Sequence, residues 1–403
     1  MEERSKERKA QGVKKAGIIC ECNPFHKGHE YLIRAAKDAG AELVVCLLSG
    51  YFTERGEPAL FDPYTRAETM LAGGADLVLE LPYPFSAASA EFFASQGVAI
   101  FAKLSIDELW FGSESGDLSR LLRMSKAADD PAFLAAYEKS VRGASGSAKT
   151  YFELLQTFAN EKDAILPNDI LAIQYLRAME RQGVPFLPKT VRRIGNAHDE
   201  EGLAAFSSAS ALRKEILAGK LKELAPYLPA GSLALLQKAT DEGLAPAEWQ
   251  RAKAAILWHL RTMKEEEIEK IAELSGGLGK RLLSAANKAT SFDELLALTA
   301  TKKYPDARIR RGILFAMTGV TADDLRADAS YLRLLAANEA GRSHLVALRK
   351  GDFPIVTKQK DLVRGTRQEA LEIASLSLYG LCLPKQRAAS FFLSRSPKVE
   401  KGR

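Results

Sequence analysis

The chain has 403 residues, 46% of them hydrophobic and 27% charged, an ordinary globular composition too long for a single core, so two domains are expected. Mean hydropathy is -0.14, and no apolar run approaches the roughly 18 residues of a bilayer span, so no membrane association is expected. A net charge of +6 suits a polyanionic partner without proving one.

In chain order, "MEERSKERKAQGVKK" is charged and lacks an apolar core, so residues 1–14 read as a flexible basic tail and not as a secretory signal. Apolar runs at 16–20, 42–48, 76–82 and 108–114 read as strands. Helical spacing at 30–40, in "RAETMLAGGA" and at 86–104 separates them. This alternation predicts an α/β fold with a parallel, doubly wound sheet. Ligands in such sheets bind beyond the carboxyl ends of the strands, where Asn23–His29, Ser49–Glu57 and Gly112–Glu114 are expected to converge. Helical patterns follow at 147–161 and 167–183, then a short strand and polar loop at 190–202, and a serine-capped helix at 206–220. Beyond about 225 the pattern is almost wholly helical. The four cysteines (Cys20, Cys22, Cys46, Cys382) are too few for a disulfide framework, which points to the cytoplasm.

Two of the five histidines, His26 and His29, stand in "NPFHKGH" between a strand and a helix. With Cys20 and Cys22 they spell C-x-C-x3-H-x2-H, but zinc sites ordinarily use other spacings and buried cysteine is common in cores. No protein-bound metal centre is expected. Packing alone fits poorly with a polar, glycine-containing turn. Phosphate fits best: free N–H groups and the positive dipole end favour an anion at a helix N-terminus. Gly28 admits close backbone approach there, and Asn23 and Pro24 shape the entry.

"PFHKGH" resembles the H-x-G-H signature of the class I aminoacyl-tRNA synthetase and nucleotidyltransferase superfamily. "FSSASALR" (206–213) is similar to that superfamily's second signature, with Ser210 where threonine is more usual. Further stretches narrow the resemblance: "ECNPFHKGH", "LSGYFTERGEPALFD", "ADLVLELPYPFSAASAEFFA", "FGSESGD", "LPNDILAIQYL" and "RRIG" with a following "HD". Together they look like the tRNA(Met) cytidine acetate ligase family, closely over residues 16 to about 220 and weakly in "TKKYPDARIRRGIL". The resemblance implies a Rossmann-like nucleotidyltransferase catalytic domain over 15–225 and a mainly helical, basic tRNA-binding domain over 226–403. It also implies ATP and Mg2+, acetate activation to acetyl-adenylate, and acetyl transfer to the wobble cytidine of elongator tRNA(Met), with no protein partner.

That reaction brings two anions together, so positive groups are required around the α-phosphorus: His26, His29, Arg213 and Arg193. The resemblance gives His26, His29, Ser208 and Arg213 catalytic roles. It places ATP contacts at Ile18, Asn23, Pro24, Phe25, Gly28, Gly112, Asn168, Arg193 and Ser210. The 49–62 loop is expected to line the acyl site through Ser49, Gly50 and Arg55, or else to be a structural lid. Glu80 is a candidate to orient a histidine or magnesium. Two basic segments, 301–311 with five basic residues against one acid and 349–367 with six against two, suggest phosphate-backbone contacts or simply solvated faces. Two other readings stay open at this point. One is a nucleotidyltransferase-fold enzyme acting on a small metabolite; the other is a tRNA-binding protein with a vestigial nucleotide site.

Overall fold

A computed structural model describes residues 13–140, 148–193, 209–348 and 353–400. Its centre is an eight-stranded sheet: β1 (Lys15–Cys20), β2 (Leu43–Ser49), β3 (Leu77–Leu81), β4 (Glu108–Ser113), β5 (Leu187–Arg192), β6 (Leu332–Ala337), β7 (Ile355–Val356) and β8 (Lys398–Val399). The order is β5-β4-β1-β2-β3-β6-β7, with β8 pairing β6. β1 to β5 run parallel as the alternating pattern predicts, and the first four are built from buried apolar runs covered by helices on both faces. The chain moves outward from β1 through β2 and β3, then returns to β1's other side as β4. The β1/β4 junction is therefore the topological switch point, where such sheets open a crevice.

The helical reading beyond residue 225 fails at β6 and at the two-residue strands β7 and β8 that pair with it. "LRLLAA" forms β6, antiparallel to β3 (Leu77 opposite Ala337), and all six of its residues are buried. Leucine and alanine favour helix, and a short apolar run cannot be told from a buried helix by periodicity. What decides it is the unpaired edge of β3. Asp76 pins the register: its backbone carbonyl accepts from Asn338 N–H at 3.0 Å, and its side chain accepts from Asn338 Nδ2 at 2.7 Å and Val44 N–H at 2.8 Å. The C-terminal part thus completes the sheet begun by the N-terminal part.

The 49–62 loop joins the sheet to the helices. Tyr51 and Phe52 belong to the helical core, with Phe52 stacked on Trp249 at 5.3 Å. Trp249 Nε1 donates to Gly56 O at 2.9 Å, and Tyr379 Oη donates to Ala59 O at 2.9 Å. From the sheet side Arg66, fully buried on the helix Pro63–Ala72, gathers the carbonyls of Glu21, Ser49, Gly50 and Phe61. The loop is a fixed bridge, not a lid. Arg66→Met leaves several buried carbonyls unpaired at about 1–3 kcal/mol each; urea unfolding should show a loss of about 3 kcal/mol or more.

Candidate functional site

After β1 the chain passes Cys22, at φ +46°, and a cis Asn23–Pro24 bond into the helix Lys27–Asp38. His26 is its N-cap. Its Nδ1 accepts the Gly28 N–H at 3.0 Å, and His29 Nδ1 accepts the His26 N–H at 3.3 Å. This is a capping box with imidazoles in place of the usual hydroxyl and carboxylate. Both Nδ1 lone pairs are thereby used, which assigns the proton of each neutral ring to Nε2. The rings lie 3.9 Å apart, and His29 also stacks on Phe25 at 5.8 Å. A side chain at position 28 would put Cβ 2.8 Å from His26 Cε1, so Gly28 makes room for the ring that caps its N–H.

Burial pushes His26 down to about 3, helped by Arg193 and Arg213. Burial likewise holds His29 well below its usual value, with His26 and Arg193 adding to it. The histidines are therefore neutral donors, not the positive groups expected from sequence; the charge sits on Arg193 and Arg213. His26 Nε2 is buried with no hydrogen-bond partner among the described residues. A donor left so costs about 1–3 kcal/mol, which an incoming acceptor recovers.

These rings face a cavity of about 540 Å3 beyond the carboxyl ends of β1 and β4, within the usual range of about 300–1,000 Å3 for small-molecule sites. Four helices present first-turn residues to it: His29, Ala90, Pro167 with Asn168, and Ala209 with Ser210. Their dipoles and free N–H groups favour an anion. Arg193 Nη1 donates to Asn168 Oδ1 at 3.1 Å, and Asn168 Nδ2 donates to Glu114 Oε1 at 2.6 Å. Glu114 also accepts the backbone N–H groups of Asn168 and Asp169 at 3.1 and 2.8 Å, and Asp169 is locked by Arg120 at 3.1 Å. Arg213 donates to Asn23 O at 3.3 Å and Ser210 Oγ at 3.1 Å, tying the second sequence signature to the first. At Gly112 an added Cβ would lie 3.2 Å from Arg193 Cγ.

Of the residues expected from sequence, Asn23, His26, His29, Gly112, Asn168, Arg193, Ser210 and Arg213 meet at this cavity. Ile18 does not; it faces the core on the opposite side of β1, and Ile19 lines the cavity instead. Pro24 and Phe25 are buried behind the histidines and act through them. Ser208 and the "HD" at 198–199 lie outside the described residues. Ser49 and Gly50 are bound to Arg66, leaving Glu54 and Arg55 as the loop's cavity residues. Glu80 faces Arg333 at 3.6 Å, and burial beside Glu372 pushes it up to about 8, remote from the histidines. Sequence reasoning placed Glu114 at the crevice without a role and passed over Glu21 and Tyr175, although Glu21 directly follows the strand that ends there.

The basic segments are only partly available. Arg308 and Arg311 pair with Glu273 at 3.5 and 2.9 Å, Arg310 with Glu57 at 3.6 Å, and Arg367 with Asp324 at 2.8 Å. Residues 349–352 lie outside the described residues. Among the described residues no group of three His, Cys, Asp or Glu side chains is placed to hold a metal ion, and no helix is long and apolar enough to cross a membrane.

A family model described as HIGH Nucleotidyl Transferase matches residues 13–391. The tRNA(Met) cytidine acetate ligase of Listeria monocytogenes serotype 4b (strain F2365) is 32% identical over 393 residues, 94% of this chain and 98% of that protein. The protein of the same name from Acetivibrio thermocellus is 34% identical over 397 residues, 92% and 95% of the two chains. The crystal structure of Thermotoga maritima TmcAL bound with alpha-thio ATP superposes with a TM-score of 0.84 at 26% identity, covering 96% of this chain and 99% of that one. The apo form of that protein gives 0.87 at 27% identity, covering 96% and 100%.

The capping geometry makes a spectroscopic prediction. Imidazole 15N shifts should show His26 and His29 as Nε2–H tautomers throughout pH 6–8, with His26 protonating only near pH 3. Between about 6.5 and 3 the unfolded chain takes up a proton there that the folded chain refuses. Stability should therefore fall as pH drops through that window.

Proposed function

The chain belongs to the HIGH nucleotidyl transferase family and, with the relatives just described, to the tRNA(Met) cytidine acetate ligases; from that premise we propose how this ATP-dependent ligase works on its substrates. Acetate attacks the α-phosphorus of ATP to give acetyl-adenylate and diphosphate. The acetyl group then passes to the exocyclic amine of the wobble cytidine of elongator tRNA(Met), and AMP leaves.

The observation that carries the reading is the His26 Nε2–H, unpartnered among the described residues, beside His29 in the cavity that Arg193 and Arg213 also line. Two neutral donors and two guanidiniums lining one cavity suit a pentacoordinate phosphorus whose negative charge grows as the bond to diphosphate breaks. Preorganised donors of this kind stabilise such charge without reorganising. The Ala209–Leu217 helix and Ser210 add donors on the side of Arg213. Asn168 fixes Arg193, and Gly112 keeps the wall open for the nucleoside.

Among the described residues no His, Cys, Asp or Glu cluster fits a protein-held Mg2+ centre. In this reading Mg2+ enters on the nucleotide's phosphates, where it would screen their charge. The second step starts from an activated mixed anhydride, so positioning dominates it. The cytidine must leave its stack to reach the cavity. We assign backbone contacts to the C-terminal part of the chain, through Lys302, Lys303, Lys358, Lys360 and Arg364, for which no ion pair is formed among the described residues. The reading places the protein with its tRNA in the cytoplasm.

Mass spectrometry of elongator tRNA(Met) after incubation with ATP and labelled acetate tests the whole reaction; an unmodified wobble cytidine would overturn it. His29→Ala should abolish acetate-dependent exchange of diphosphate into ATP while tRNA binding stays near normal. Arg213→Ala removes charge-assisted bonds of about 1.5–3 kcal/mol, so ATP affinity should drop roughly ten- to a hundredfold. Titration of each variant with ATP measures it.

A further inference from the structure

Acyl transfer to an amine has a proton to dispose of. As the exocyclic nitrogen attacks the acetyl carbon it becomes positively charged, and it must lose a proton while the acyl–phosphate bond breaks. The histidines cannot take it. Both Nδ1 lone pairs already accept backbone N–H groups, and both Nε2 atoms carry hydrogens. Glu114 is occupied by the amides of Asn168 and Asp169. Glu54 is held by Arg311 at 3.5 Å, and the Cys20 thiol is engaged with those of Cys22 and Cys46.

Among the described residues that line the cavity, Glu21 is the carboxylate that remains. It stands one residue beyond β1, lines the cavity five positions before His26, and has its own carbonyl held by Arg66. Its carboxylate accepts the Glu54 N–H at 2.6 Å through Oε1, and Oε2 has no hydrogen-bond partner among the described residues. We propose that Glu21 is the general base of the acetyl-transfer step, with Glu54 and Arg311 as positioning residues. The inference rests on the acetate ligase reading above. The N–H bond of the attacking amine breaks toward the free oxygen of Glu21, the N–C bond forms, and AMP departs with the electron pair of the C–O bond. Glu21 ends protonated and returns its proton to solvent when the product leaves.

The surroundings suit that task. Burial, and then the charge of Glu54, push Glu21 up to about 7, against the opposing pull of the Glu54 amide, Arg213 and Arg55. Tyr175 from the helix Pro167–Gln182 also faces it and is itself held protonated by burial. A base with a value near the working pH combines a useful deprotonated fraction with real proton affinity. The chain Arg311–Glu54–Glu21 also joins the helix Asp306–Thr318 directly to the reacting end of the cavity.

The test separates the two half-reactions. Glu21→Gln keeps the oxygen that accepts the Glu54 amide and loses only the base. The ratio of acetyl transfer from preformed adenylate to acetate-dependent diphosphate exchange should fall about a hundredfold, the size of a lost general base. In wild-type protein the transfer rate should climb with pH and level off above about 7. Glu54→Gln, which removes the neighbouring negative charge, should move that climb to lower pH, and Glu21→Gln should abolish it. An unchanged ratio, a parallel loss of both half-reactions, or a climb that persists in Glu21→Gln would overturn the proposal. Absence of exchange in the wild-type protein would instead overturn the acetate ligase reading, and this inference with it.

Discussion

The site depends on one buried cation that never touches the cavity. Arg66 has no exposed surface, and its guanidinium spans the carbonyls of Glu21, Ser49, Gly50 and Phe61. Burying a charge is costly unless its donors are satisfied, and here the satisfying groups are the ends of β1 and β2 and both ends of the intervening loop. Loops carry orphan carbonyls that strands cannot pair. A planar fork of five donors collects them where a single ammonium could not. Glu21 and the histidine turn on one side, and Glu54 on the other, take their positions from that clamp.

The bridge loop also decides how the two parts of the chain communicate. Tyr51 and Phe52 are committed to the helical core, and the carbonyls of Ser49, Gly50 and Phe61 to Arg66, so Glu54 and Arg55 are the loop residues that face the cavity. Arg311 donates to the carbonyl of Glu54 at 3.2 Å and pairs with its carboxylate. Gly56 approaches the backbone of Arg310 and Arg311 so closely that no Cβ fits, and its φ of +69° is one that glycine adopts without cost. The arginines that looked like a nucleic-acid surface in the sequence are, in part, the screws of this joint. Their charge is spent on Glu54, Glu57 and Glu273.

What was legible in the sequence was local. The parallel strands, the strand-to-helix histidine turn and the "PND" helix start follow from patterns within about ten residues, and the crevice follows from the switch-point rule. What was illegible needed a partner far along the chain. β6 is a strand only because β3 offers it an edge, and Ser49 is a clamp ligand and not an acyl contact only because Arg66 reaches it. Ile18 and Ile19 differ by one position, and the side-chain alternation of a strand sends them to opposite faces; the motif alone does not say which. The charge state of the histidines was misread for the same reason: desolvation is a property of the folded neighbourhood, not of the residue type.

That charge state bears on why imidazoles stand at this helix start. A lysine or arginine buried at the N-cap would repel the helix dipole and face the full cost of desolvating an ion, several kcal/mol even after relaxation. A neutral Nε2–H costs only an unmade hydrogen bond, about 1–3 kcal/mol. It returns that energy when an anionic acceptor arrives. The N-terminal end of the dipole then acts in the same direction as the donors. The two guanidiniums that supply net charge sit less deeply: Arg193 is anchored by Asn168 and Arg213 by Ser210 and the Asn23 carbonyl. Charge is thus placed where solvent and partners support it, and a neutral donor where, among the described residues, no partner stands.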